Sequence, residues 1–88
     1  MEKEVADMYD SCYTSDKTEA FLFAKLISKL RYVENVKVDA TKKTEYYVGF
    51  KITTDSPEVY KEIANLVREN NLLSINFYGE DWIQAFNT

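Results

Sequence analysis

The residues able to do covalent or acid–base chemistry are few: the chain holds one cysteine, Cys12, and no histidine. A nucleophilic thiol needs a base or a cation nearby to lower its pKa, whereas the neighbours of Cys12 in sequence are Asp7, Asp10 and Asp16. Anions disfavour thiolate, so Cys12 reads as a structural residue. A lone cysteine excludes an internal disulfide, and the absence of histidine removes His-containing zinc sites, haem ligation by His and histidine general acid–base catalysis. The carboxylate pairs Asp7/Asp10 and Glu80/Asp81 are acid–base or Mg²⁺-binding candidates, but their spacing is unspecific. With two glycines in the whole chain there is neither a calcium loop with its central glycine nor a glycine-rich phosphate loop. The expectation is a protein without catalysis, metal or cofactor.

What stands out instead is aromatic. Thirteen Phe, Trp and Tyr residues, seven of them Tyr, exceed what a plain core needs. Tyr47 and Tyr78 fall on the polar phase of alternating segments, among Lys37, Lys51, Thr53, Ser74 and Asn76. Phe21, Lys25, Ser28 and Tyr32 follow at steps of four, three and four, a second stripe on the polar side of a helix. Tyrosine is enriched in interface hot spots because a rigid ring buries area at low entropic cost while its hydroxyl stays paired. Tyr47, Tyr78, Lys37, Lys51 and Asn76 on an open sheet face are therefore the first candidates for partner binding, and Phe21 and Tyr32 the second.

The elements that must position these side chains follow from periodicity. Val5, Met8, Tyr9, Cys12 and Tyr13 recur at helical spacing, and strand alternation breaks at Asp7, Asp10 and Ser11, which predicts a helix over 4–13. Cys12-Tyr13-Thr14 favours extended backbone, so a strand there is the alternative. Thr14-Ser15-Asp16 with Glu19 forms a box-like start for a helix over 16–31. Its stripe is Ala20, Phe23, Ala24, Leu26, Ile27 and Leu30. Strands are predicted at 34–40 and 45–54 as a hairpin, with a longer loop through Thr41-Lys42-Lys43-Thr44. Asp55-Ser56-Pro57-Glu58 starts a further helix with a cap, a first-turn proline and an acid. Its buried face is Val59, Ile63, Leu66 and Val67, and Asn70-Asn71 supplies a left-handed stop. Leu73, Ile75 and Phe77 alternate as a third strand, and Glu80 to Phe86 is a short helix with Trp82, Ile83 and Phe86 on one side.

The resulting fold class is α+β, ααββαβ(α), with a three-stranded antiparallel sheet in order 2-1-3 and helices on one face. The alternative, if residues 4–13 form a strand, is ferredoxin-like βαββαβ. At 88 residues one domain and one core are expected. No apolar run reaches the roughly 18 residues of a membrane span, and Met-Glu-Lys-Glu lacks the layout of a signal peptide. A reducing, cytoplasmic setting without membrane contact is the expectation.

Charge is laid out in blocks within the net −4: residues 1–20 sum to −4, 21–51 to +4 and 52–88 to −4. Only two of eleven basic residues are Arg, the side chain that forks onto phosphate and guanine, which argues against nucleic acid. Tyr46-Tyr47-Val48-Gly49-Phe50 resembles the aromatic strand with which RNA-recognition domains stack bases. It departs from that strand in phase, because Val48, Phe50 and Ile52 share one side, and Glu45 stands where a basic flank is expected. The sequence therefore implies a small acidic protein-binding module, an inhibitor or regulator acting by surface occlusion on a protein partner, with homodimerisation through an edge strand as a competitor. A nucleic-acid mimic or binder and a small-ligand-binding domain are the alternatives. The Lys-over-Arg bias with plentiful Asn and Tyr fits an AT-rich bacterial or phage source.

Overall fold

A computed structural model describes residues 8–54 and 56–87. Its elements run β1 (Met8–Thr14), α1 (Lys17–Ile27), β2 (Val33–Asp39), β3 (Tyr46–Ile52), α2 (Pro57–Glu69), β4 (Asn76–Phe77) and α3 (Glu80–Phe86). The four strands form one antiparallel sheet in order β2-β3-β1-β4.

This corrects the expected 2-1-3 sheet of three strands. The hairpin of β2 with β3 is present, but β1 fills the place next to β3, pairing along its length from Met8↔Ile52 to Thr14↔Tyr46. The last strand consequently pairs with β1, through Cys12↔Phe77 and Tyr13↔Asn76, and not with β2. Lys51 accordingly lies on an interior strand.

The helix expected over 4–13 is a strand wherever it is described; residues 4–7 lie outside the described residues. The helical spacing of Tyr9, Cys12 and Tyr13 coincides with a strand pattern in which Cys12 and Thr14 are buried while Tyr9 and Ser11 are exposed. Asp10, which breaks the hydrophobic alternation, is tolerated on the inner side because its Oδ1 accepts a hydrogen bond from Trp82 Nε1 at 2.9 Å. Polar groups turned inward need such a partner.

Local signals hold at the other helix starts. Asp16 caps α1, its Oδ1 accepting from the Glu19 N–H at 3.0 Å, and Ser56 with Pro57 starts α2. Asn71 adopts the left-handed φ of 55° after α2. The α1 helix stops at Ile27, short of the expected residue 31, so Tyr32 is not on it. The strand expected over 73–78 shrinks to two residues, because Leu73 and Ser74 are taken into a turn. In that turn the Ser74 N–H donates to Glu19 Oε1 at 3.0 Å, and the Ser74 and Thr14 hydroxyls meet at 2.6 Å.

The core lies between the sheet and the helices, built from Cys12, Val48, Phe50 and Ile52 against Phe23 and Ile27 of α1 and Ile63 and Val67 of α2. Trp82 is its largest fully buried side chain. Its ring lies 4.7 Å from Phe77, 4.8 Å from Tyr60 and 6.1 Å from Phe50. Of the three α3 residues expected on one side, Trp82 is buried and Phe86 packs against the core, whereas Ile83 is 54% exposed. Among the described residues no helix is long and apolar enough to cross a membrane.

Trp82→Ala should cost about 3–5 kcal/mol in urea unfolding, whereas Gln84→Ala, exposed on the same helix, should change stability by less than about 0.5 kcal/mol. A small loss at Trp82 would mean that α3 is not part of the cooperative core.

Candidate functional site

With Cys12, Thr14, Val48, Phe50 and Ile52 turned toward the helices, the residues between them in sequence turn to the other face. Strand registers put Tyr13 opposite Tyr47 and Ser11 opposite Gly49, Lys37 opposite Gly49 and Asp39 opposite Tyr47, and Asn76 opposite Tyr13. Three tyrosines therefore form a row across β3, β1 and the end of β4. The Tyr13 ring is 6.0 Å from Tyr47 at 32° and 5.3 Å from Tyr78 at 20°, stacked on the latter. Lys42 Nζ sits 5.5 Å from the centre of the Tyr47 ring at the far end of the row. The stacked pair shares one face between Tyr13 and Tyr78, the Tyr47 ring is tilted relative to Tyr13, and Tyr78 stays 62% exposed.

The Tyr47 hydroxyl is held as a donor. Tyr47 Oη donates to Glu45 Oε1 at 2.9 Å, and this carboxylate pushes the Tyr47 phenol upward. The Tyr13 hydroxyl beside it, with desolvation second, pushes the Tyr78 phenol up to about 12. A phenol that resists ionisation keeps its proton for a hydrogen bond. Asp39 is the opposite case: Thr41 donates its N–H at 2.9 Å and its hydroxyl at 2.7 Å to Asp39 Oδ1, which holds the carboxyl below its usual range. It is a fixed negative charge.

Beside the row lies a shallow groove of about 460 Å³ bordered by Ser11, Lys37, Asp39, Thr41, Tyr47 and Gly49. Its floor is low because Ser11 and Gly49 are small. A Cβ built on Gly49 would meet only the Asp10 carbonyl oxygen at 4.0 Å, an ordinary contact, so backbone crowding does not require glycine there. A glycine inside a strand costs stability, and here its effect is the depression itself.

Of the residues singled out from sequence, Tyr47, Tyr78, Lys37, Lys51 and Asn76 are brought to one face. Phe21 is 47% exposed on α1. Tyr32 departs from the expected stripe: it packs against the core beyond the helix, and its hydroxyl is buried without a hydrogen-bond partner. Burial first, and the facing Glu62 second, push that phenol up. Tyr13 and Tyr9 were missed because residues 4–13 read as a helix. Reading the same stretch at period two would have found both, since Tyr9, Ser11 and Tyr13 then share a side. Tyr9 lies at the other end of the face, where Asn35 Nδ2 donates to its hydroxyl at 3.2 Å.

On the inner side, burial pushes the Cys12 thiol up to about 12, with Asp10 adding to it. No group of three or more metal-ligating side chains occurs among the described residues. Comparison of the chain with family models, curated proteins and solved structures finds no match.

Native Cys12 should stay inert to a disulfide thiol reagent at about pH 8, near the pKa of a free thiol, and react on unfolding; fast reaction in the native state would place the thiol at the surface. Asp10 carries a pH signature. Burial, with Asp81 adding to it, raises its pKa despite the Trp82 hydrogen bond. The folded state thus binds this proton more tightly than the unfolded chain, so the cost is absent in acid and develops as pH rises through the folded pKa. Asp10→Asn keeps an oxygen for Trp82 and carries no charge. It should stabilise the protein near neutral pH by about 1 kcal/mol or less, discounted for partial exposure, and lose that gain in acid. Urea unfolding across a pH series checks this, and a variant less stable at neutral pH would overturn it.

Proposed function

We propose that this chain is a non-enzymatic protein-binding module that occludes a partner's surface with the open face of its sheet. The arrangement is read as ferredoxin-like βαββαβ with α3 appended. The observation that carries the reading is the row Tyr47–Tyr13–Tyr78, set among Lys37, Lys51 and Asn76 beside the Gly49 groove. Antiparallel sheets can leave one face to solvent, and such faces are ordinarily polar. Three adjacent tyrosines are a costly way to cover a face that meets only water, and tyrosine rings with their hydroxyls suit the centre of a protein interface. The biological setting we favour is a phage-encoded inhibitor or regulator of a host protein in the cytoplasm, consistent with the lysine-rich composition.

A second reading, single-stranded nucleic acid, is favoured by aromatic side chains on the two central strands, β1 and β3. Two features weigh against it. Base stacking needs ring faces open to solvent, and here Tyr13 and Tyr78 already stack on each other. Phosphate binding needs an excess of positive charge, whereas Glu34 and Asp39 are interspersed with Lys37 and Lys51 on the same face and the chain carries net −4. A small-ligand reading has only the shallow groove to support it.

Affinity capture from a bacterial extract, followed by titration of the purified captured protein, tests the proposal. Tyr13→Ala, Tyr47→Ala and Tyr78→Ala should each weaken binding by about 1–2 kcal/mol or more with the fold retained, and Phe21→Ala should leave it unchanged. Loss of binding at Phe21 with none at the tyrosines would move the interface to α1. Affinity for single-stranded oligonucleotides that falls steeply with salt would favour the second reading.

A further inference from the structure

We infer that a second copy of this chain docks along β4, extending the sheet across a twofold axis. The argument is independent of what the open face binds. Among the described residues the sheet has two free edges, and they differ in how they are protected. Exposed strand edges invite pairing with another chain, and charge or a bulge is the usual defence. The β2 edge has both: its register with β3 shifts between Glu34 and Lys37, Asn35 takes a left-handed φ of 56°, and Glu34, Lys37 and Asp39 stand along the strand. The β4 edge has neither. From Leu73 to Gly79 no residue is charged.

That neutral strip is also where apolar side chains gather. Leu73 is 79%, Tyr78 62% and Ile83 54% exposed. A groove of about 320 Å³ runs between β4 and α3, lined only by uncharged residues, Ile75, Phe77, Trp82, Ile83 and Phe86 among them. A two-residue strand is too short to hold a dimer through its backbone alone, and stable interfaces bury roughly 800 Å² per partner. The groove, Ile83 included, and the exposed Leu73 and Tyr78 beside it widen the contact beyond the strand.

Charge favours a copy of this chain as the occupant. Two molecules of net −4 repel least where neither presents acids, and this strip matches itself in that respect. In an antiparallel pair that sets Asn76 opposite its counterpart, Ile75 falls opposite the copy's Phe77, on the side where the groove opens. Glu80 and Asp81 of each molecule then lie at opposite ends of the strip and do not face their counterparts. The two tyrosine rows would join on one face, an isologous arrangement of the kind twofold dimers use.

Sedimentation velocity of the full chain over a concentration series tests this. The expected result is a monomer–dimer equilibrium in the wild type, with the dimer weakened at least about tenfold, equivalent to about 1.4 kcal/mol, by Asn76→Lys and by Ile83→Lys. Both sites are exposed, and circular dichroism should remain native; either variant suffices should the other misfold. Glu34→Lys, on the β2 edge, should leave the dimer intact. A wild type that is monomeric throughout overturns the inference, as does a dimer indifferent to both Asn76→Lys and Ile83→Lys or lost through Glu34→Lys. A monomer whose β4 amides become protected from hydrogen exchange only when a different protein is added would give the edge to a foreign strand, and would equally overturn it.

Discussion

The aromatic contact between Phe77 and Trp82, rings 4.7 Å apart, is the constraint on which the rest of the architecture depends. A strand of two residues has too few ladder hydrogen bonds to hold itself at the edge of a sheet, and β4 is fixed there by what its one inward side chain touches. Phe77 meets Phe23 at 5.6 Å and Phe86 at 5.2 Å, joining α1 and α3 to the strand. Trp82 extends the cluster to Phe50 and Tyr60 and spends its only donor on Asp10. Arg68 closes the far side, with its guanidinium over the Phe86 ring and donating to the Phe86 carbonyl. The polar latch of Thr14, Ser74 and Glu19 then brings the chain into β4 at the height where Asn76 meets Tyr13.

Once that cluster fixes the phase of β4 and β1, the composition of the other face follows. Phenylalanine and tryptophan fill the inner side, where Trp82 has a partner for its N–H, while Tyr13, Tyr47 and Tyr78 turn outward, where hydroxyls are free to meet acceptors. Their row exists because Phe77 and Cys12 point inward as a pair, leaving the residues beside them to line up outside. Mixed charge around the row, with Lys42 over one ring and Glu45 on its hydroxyl, gives a surface better suited to the varied groups of a protein than to the uniform charge of a phosphate backbone.

Much of this was legible in the sequence where the signal is local. The Ser56-Pro57 start, the Asp16 cap and the alternation of Tyr46 to Ile52 each act over a few residues and each appears in the structure. Where the deciding partner is distant in sequence, local reading fails. Asp10 makes residues 8–14 look unlike a strand until Trp82, seventy-two positions away, accounts for it. That one misreading removed β1, and with it the strand order, Tyr13 and the continuity of the tyrosine row. Likewise Leu73 and Ser74 alternate like a strand but are drawn into a turn by Glu19, fifty-five positions back from Ser74. Tyr47, Lys37 and Asn76 were found because alternation within their own segments was enough.

The central claim, that the open face is the contacting surface, is tested most directly by NMR of the protein carrying ring-labelled tyrosine and phenylalanine, titrated with the protein that it captures from extract. The account predicts that the Tyr13, Tyr47 and Tyr78 ring resonances shift or broaden together, while Phe21 on α1 and the enclosed Tyr32 stay in place. Changes confined to Phe21 and the helical side, with the tyrosine row unmoved, would contradict it.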